Sequence, residues 1–198
     1  MRPSSPKDAK EGTRARLLAA ARTEFAEHGM GGARVDRIAH RAGANKERIY
    51  GYFGSKEKLF TAVVADALDD HAVRVGLPVD DPGEYAGRIY DFHRQNPELT
   101  RLMMWEALHY GDRPMPDDEL RITHYRAKVA ALVRSTGGEV DEQAAATFLA
   151  LVGVAVWPLA FPQMARLVLG TAEAGPSAGV RAYVVTTARA LASSSPPV

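Results

Sequence analysis

The chain is predicted to be all-α, with an N-terminal three-helix helix-turn-helix domain followed by a C-terminal helical bundle. Three observations point there. Apolar residues recur at i, i+3, i+4 and i+7 in one segment after another, the period of a helix that buries one face. Glycine and proline punctuate those segments where helices should start or stop. The one strand-like run, Val184-Val185-Thr186-Thr187, has no sheet to join and is assigned to a helix.

Taken in order, Thr13 can cap a first helix running to His28, with Leu17, Leu18, Ala21 and Phe25 on one face. Gly29 stops it, and Gly29-Met30-Gly31-Gly32 forms a turn. Val35, Ile38, Ala39 and Ala42 mark a short amphipathic helix ending at Gly43. Asn45 caps the next helix, whose inward residues are Ile49 and Phe53, and Gly54-Ser55 breaks it. Ser55 then caps a longer helix carrying Leu59, Phe60, Val63, Val64 and Leu68.

The run from Gly76 to Gly83 reads as a linker or long loop. Helical periods resume over about 83–95, and over 97–109 with Pro97 in the first turn. A further helix spans about Asp117 to Thr136, ended by Gly137-Gly138. From Asp141 to about Phe161 a helix is apolar nearly all round, so nearly all of it must be covered, and Pro158 and Pro162 should kink or end it. Residues 179–192 form the last helix, and the tail from Ser193 is expected to be disordered.

Composition narrows the function classes. With 46% apolar and 25% charged residues the chain is ordinary for a globular protein, and the absence of cysteine excludes disulfides and thiolate metal sites and suits a cytoplasmic location. The polar opening MRPSSPKDAKEGTR lacks a signal-peptide core. The uncharged stretch from Phe148 to Phe161 is shorter than the ~20 residues a span needs, so no membrane partner is expected. The net charge of +1 conceals an asymmetry: residues 1–58 hold 13 Lys/Arg against 7 Asp/Glu, and residues 59–198 hold 12 against 17. A basic lobe joined to an acidic one suits a protein that meets a polyanion at one end.

Two short helices joined by a tight glycine turn, with a third packed behind, can present one helix to the major groove of DNA. Val35–Ala42 would support and Lys46–Tyr52 would read. The outward residues of the latter, Lys46, Glu47, Arg48, Tyr50, Gly51 and Tyr52, include phosphate and base-edge donors, and Arg34 and Lys56 extend the basic rim. Phe25, Ile38, Ile49 and Phe53 are core. Tyr50 is also compatible with packing, and Glu47 with a solvated charge.

The string from Thr13 to about Val64 resembles the tetracycline-repressor (TetR) family of bacterial regulators, most specifically in VDRIAHRAGANKERIYGYFGSKEKLF. The resemblance covers about a quarter of the chain. It implies a DNA-binding domain over 1–58 and an effector-binding and dimerisation domain over 59–198. Lys46, Arg48, Tyr50 and Tyr52 would then face DNA and Lys56 would contact phosphate, with Arg34 and Asn45 completing the candidate DNA-binding set. Two departures stand out. Arg34 replaces a small hydroxyl residue, removing a helix cap and adding a charge. Glu47 and Arg48 replace smaller residues, which should alter base preference, and Arg48 can read guanine.

The resemblance further implies a homodimer on a palindromic double-stranded operator, formed through the last two long helices. The dimer candidates are Leu149, Gly153, Val156, Val180, Val184 and Leu191. The competing reading keeps both helices inside the subunit core. The resemblance also implies repression relieved by a small apolar or aromatic effector, for which Met103, Trp105, His109, Tyr110, Tyr125 and Trp157 are the candidate lining. Control by a protein partner is the alternative. An enzyme is the rival class, but the six histidines lack metal-ligand spacing, and no nucleophile elbow or phosphate-cradling loop is present. No cofactor or metal is expected.

Overall fold

A computed structural model describes residues 6–116, 118–170 and 178–193. Among the described residues there are ten helices and no strand: α1 (Pro6–Gly32), α2 (Val35–Ala42), α3 (Lys46–Phe53), α4 (Lys56–Val75), α5 (Pro82–Gln95), α6 (Pro97–Tyr110), α7 (Asp118–Thr136), α8 (Glu142–Ala160), α9 (Pro162–Leu169) and α10 (Ala178–Ser193). The Val184–Thr187 run is helical, as expected for β-branched residues with no sheet available.

The described residues form two compact units. One comprises those up to Asp70 together with Arg101–Arg113, and the other comprises His71–Thr100 together with those from Pro114 onward. The division is not a single cut between residues 58 and 59, because α4 and α6 each run from one unit into the other.

In the first unit, Leu17, Ala21 and Phe25 of α1, Ile38 of α2, Ile49 of α3, and Phe60 and Val64 of α4 are buried. Phe25 meets Phe60 edge-on at 5.1 Å between ring centroids. Thr13 is not the first cap: α1 begins seven residues earlier, at Pro6, and Thr13 is buried within it. The helical run extends to Gly32, broken at Gly29, whose φ of 63° is one that glycine adopts without strain. Gly43 ends α2 in the left-handed conformation, its N–H meeting the carbonyls of Ala39 and His40.

In the second unit α5 packs against α7, α8 and α10. Its core joins Tyr85, Ile89 and Phe92 of α5 to Leu132 of α7, Leu151 of α8 and Val185 of α10. Asp81 caps α5 by accepting from the Gly83 N–H at 2.7 Å, so the helix takes in Pro82 and Gly83 from the expected loop. Gly83 and Gly87 lie where α10 comes closest. A Cβ on Gly83 would stand 2.5 Å from the Val185 carbonyl oxygen, and one on Gly87 3.0 Å from the Val185 Cγ2. Two arginines of α10 then clamp the pair: Arg181 donates to Asp91 at 2.7 Å and Arg189 to Asp81 at 2.6 Å.

Asp141 caps α8 by accepting from the Ala144 N–H at 2.8 Å. The helix continues through Pro158, and after Phe161 the chain starts the separate helix α9, which the sequence pattern does not announce. The expected all-round cover of α8 is absent within one chain: only Phe148, Leu151 and Ala155 are buried. The expected disorder beyond Ser193, and Asp117 as the start of α7, fall outside the described residues.

Candidate nucleic-acid interface

The scaffold of the reading helix rests on one buried acid. Glu24 on α1 is only 1% exposed, and its Oε1 accepts from the Arg34 N–H at 2.9 Å and from Arg37 Nε at 2.7 Å. Burial raises the proton affinity of this carboxyl, but Arg37 and the Arg34 N–H outweigh it and leave the acid below its ordinary range. Arg34 itself makes no side-chain cap for α2. Glu24 of α1 satisfies the N–H of the cap residue itself, and Arg37 also reaches the Gly32 carbonyl at 2.9 Å. In the sequence Glu24 resembles any surface charge. Its position beside Phe25, one residue from the buried face, is the only signal there.

α3 is set by its ends and its two inward residues. The Asn45 side chain accepts from the Arg48 N–H at 3.0 Å, and Ile49 and Phe53 are buried. Seen from solvent, Arg34, Asn45, Lys46, Arg48 and Tyr50 are all exposed, while Lys56 is half-buried in the first turn of α4. Lys46 is paired with Asp36 of α2 at 2.6 Å, an exposed contact that phosphate can replace at little cost. Arg48 and Tyr50 present polar groups outward from the same short helix.

Tyr52 is different. It is half-buried, and its hydroxyl donates to the Lys10 carbonyl of α1 at 3.1 Å. It braces α3 on α1 and is removed from the outward set. Arg14, exposed on α1 with its guanidinium 5.8 Å from the Phe53 ring centroid, adds a cation outside the expected set.

The effector candidates divide between the two units. Met103, Trp105, His109 and Tyr110 belong to the first unit, and Tyr125 and Trp157 to the second. Trp105 serves the scaffold. Its ring lies against Gly29, where a Cβ would come within 2.6 Å, and its Nε1 donates to the Ala26 carbonyl at 3.4 Å. His109 and Tyr110 stack edge-on at 4.8 Å, and Arg113 donates to the carbonyls of both. Trp157 lies on the exposed side of α8, 4.5 Å from the Phe161 ring. Tyr125 alone borders a buried aromatic cluster, 6.5 Å from Phe148.

Of the dimer candidates, Leu149 is 72% exposed and Gly153 is open to solvent, with Val156 half-buried on the same side of α8. Val180 and Leu191 of α10 are half-buried. Val184 is a correction: at 1% exposure it belongs to the subunit core, because the apolar stripe of α10 is the one that meets α5. The outer side of α10 carries Tyr183 instead, 71% exposed and followed one turn later by the exposed Thr186. Among the described residues no group of three acidic or histidine side chains could hold a metal ion.

Residues 17–63 match the family described as bacterial regulatory proteins, tetR family, and residues 81–190 match the tetracyclin repressor-like C-terminal domain. The chain is 41% identical over 182 residues to the HTH-type transcriptional repressor SCO4008 of Streptomyces coelicolor, covering 90% of this chain and 94% of that one. It is 33% identical over 116 residues to the HTH-type transcriptional repressor NicS of Pseudomonas putida, 55% of each chain. Among solved structures, the transcriptional regulator SCO4942 from Streptomyces coelicolor superposes with a TM-score of 0.72 at 33% identity, over 90% of this chain and 97% of that one. A TetR-like regulator from Rhodococcus sp. RHA1 shares the fold with a TM-score of 0.60 at 21% identity, over 96% of both chains.

Proposed function

The chain belongs to the tetR family of bacterial regulatory proteins, and from that premise we propose that it is a cytoplasmic repressor that grips a palindromic operator as a dimer and lets go when a small effector binds. It is a sequence-specific DNA-binding transcriptional regulator, as its relatives are, and not an enzyme. The observation that carries the proposal is the exposed face of α3, where Arg48 and Tyr50 stand clear of a buried frame.

On this reading Arg48 reads a base edge, a bidentate contact with guanine being worth ~1–3 kcal/mol of discrimination. Arg34, Lys46 and Lys56 neutralise phosphates, Lys56 from the N-terminal end of α4 where the helix dipole favours an anion. Asn45 acts by capping α3, and Tyr52 by holding it. The exposed apolar side of α8, together with Tyr183 of α10, supports a second copy as its cover. Two reading helices about one turn of DNA apart (~34–36 Å) would then meet two half-sites.

Selection of bound fragments from the source genome tests the proposal. A near-palindromic site should emerge, with affinity falling steeply as salt rises. Arg48→Ala should relax preference at one base in each half-site, whereas Lys56→Ala should weaken every sequence alike. Failure to enrich any duplex, or binding indifferent to salt, overturns it.

A further inference from the structure

The second unit keeps a cation for which no counter-ion exists among the described residues. Lys128 on α7 is half-buried, burial holds its ammonium below the ordinary lysine range, and no acid pairs with it. Its one close partner is a ring: Nζ lies 5.5 Å from the Tyr125 centroid. Deeper in, the hydroxyl of Tyr85 is fully buried and finds no hydrogen-bond partner among the described residues. Buried hydroxyls are nearly always satisfied, so an orphan one asks for an explanation.

The two groups belong to one cluster. Tyr85 lies 6.3 Å from Phe148, and Phe148 lies 6.5 Å from Tyr125, the ring beneath Lys128. The charge of Lys128 is also felt by buried His71, which stacks edge-on with His93 at 5.4 Å. Exposure falls from Tyr125, open to solvent, through half-buried Lys128 to fully buried Tyr85. Arg88 is a second cation beside the cluster, its guanidinium 5.6 Å from the Tyr85 ring centroid and donating to the neutral carbonyl of Val75 at 3.0 Å.

An uncompensated cation and an acceptorless hydroxyl are both relieved by one kind of ligand. A carboxylate accepts readily from an ammonium and from a phenol O–H, while the rings of Tyr125 and Phe148 offer apolar surface to the rest of such a molecule. A neutral apolar ligand relieves neither. The buried imidazoles of His71 and His93 are neutral at pH 7 and add no positive charge.

We propose that the effector is a small organic carboxylate with an apolar or aromatic body, its head group held by Lys128 of α7 and Tyr85 of α5 between the rings of Tyr125 and Phe148. This rests on the effector-controlled reading above and names the chemistry of its ligand.

The test uses the full chain and matched pairs of probes, in which benzoate, phenylacetate, octanoate and decanoate are each set against the corresponding primary amide. Calorimetry and melting temperature are read for the wild type, Lys128→Met and Tyr85→Phe. At least one acid should bind the wild type more than about tenfold tighter than its amide, and both variants should lose most of that preference. Without ligand, Lys128→Met should melt higher than the wild type, because it removes a half-buried charge offset only by the Tyr125 ring. The proposal fails if no acid outbinds its amide, if the preference survives in Lys128→Met, or if that variant melts lower unliganded. Release of operator DNA is read in the same samples. An amide that releases DNA where its acid does not removes the anion and leaves effector control intact. An acid held by Lys128 that leaves DNA affinity unchanged keeps the site and overturns effector control.

Discussion

The two units handle their apolar side chains in opposite ways. In the first, the large residues of the three-helix frame are inside: Phe25, Ile38, Ile49 and Phe60 are all buried, and Glu24 ties α1 to α2 beneath them. In the second, a well-packed interior around α5 coexists with Leu149, Trp157, Leu167, Val168 and Tyr183 standing in solvent. The first unit leaves Leu108 and Tyr50 in solvent outside that frame, whereas the second exposes a run of large apolar residues along α8, α9 and α10. The difference matches the division of labour in a regulator: a rigid reading head must hold its geometry, whereas the second unit must receive other molecules.

The contrast breaks first if the reading head is less dependent on its core than this picture requires. Phe25→Ala empties a fully buried, ring-stacked position and should lose about 3–5 kcal/mol by chemical denaturation, taking DNA binding with it. Retention of both would mean that the frame is not the source of the head's rigidity.

Acid should act on the second unit. Burial pushes the His71 imidazole down to about 3 and that of His93 down to about 4, against an ordinary value of 6.5. His93 exchanges a hydrogen bond with Thr100 Oγ1 at 2.8 Å, and Lys128 adds repulsion at His71. The unfolded chain therefore takes up protons that the folded chain refuses. Stability is full above about pH 7 and drains away as the pH falls below about 6.5, by up to about 2 kcal/mol per histidine at pH 5. Denaturation curves at the two pH values should show the loss, and His71→Phe, which keeps the ring against Phe92, should remove about half of it. A flat profile would place both imidazoles in wetter surroundings.

How α5 meets α10 gives a smaller effect. Gly83→Ala drives a methyl into the Val185 backbone carbonyl, which cannot swing away, and should lose about 1–3 kcal/mol. Gly87→Ala meets the mobile end of Arg181 and the Val185 side chain and should lose less. Equal losses would show that α10 shifts as a body.

These residues also mark where the sequence stops being legible. Helical period, caps and glycine stops place α2, α3, Asn45 and Gly43 well, because each depends on neighbours within a turn or two. Gly83 reads as loop in its company of proline and aspartate, although a glycine at i and i+4 on one helix face also signals close approach. Val184 and Tyr183 are hard to tell apart because periodicity says which side of α10 is apolar, not which neighbour will cover it. Glu24, Tyr52 and Trp105 escape for the same reason: their roles are fixed by partners ten, forty-two and seventy-nine residues away. Exposure of α3 is predictable from sequence; the bracing of Tyr52 on Lys10 is not.

Leu149→Lys should have the smallest effect on the folding of one chain and the sharpest on assembly. The side chain is mostly in solvent, so within a single subunit the change should stay within about 0.5 kcal/mol. In a dimer built on this side of α8, the same change buries two unpaired ammonium groups near the symmetry axis. Sedimentation should then report a monomer with its helical content intact. Affinity for an isolated half-site should be unchanged, because Arg48 and its frame lie in the other unit, while affinity for the full palindrome falls to the half-site level. A Leu149→Lys protein that remains dimeric would move the interface elsewhere, with Tyr183→Lys as the next position to try. If it is monomeric yet grips the palindrome undiminished, the reading head binds without a twin, and the exposed face of α8 serves something other than DNA recognition.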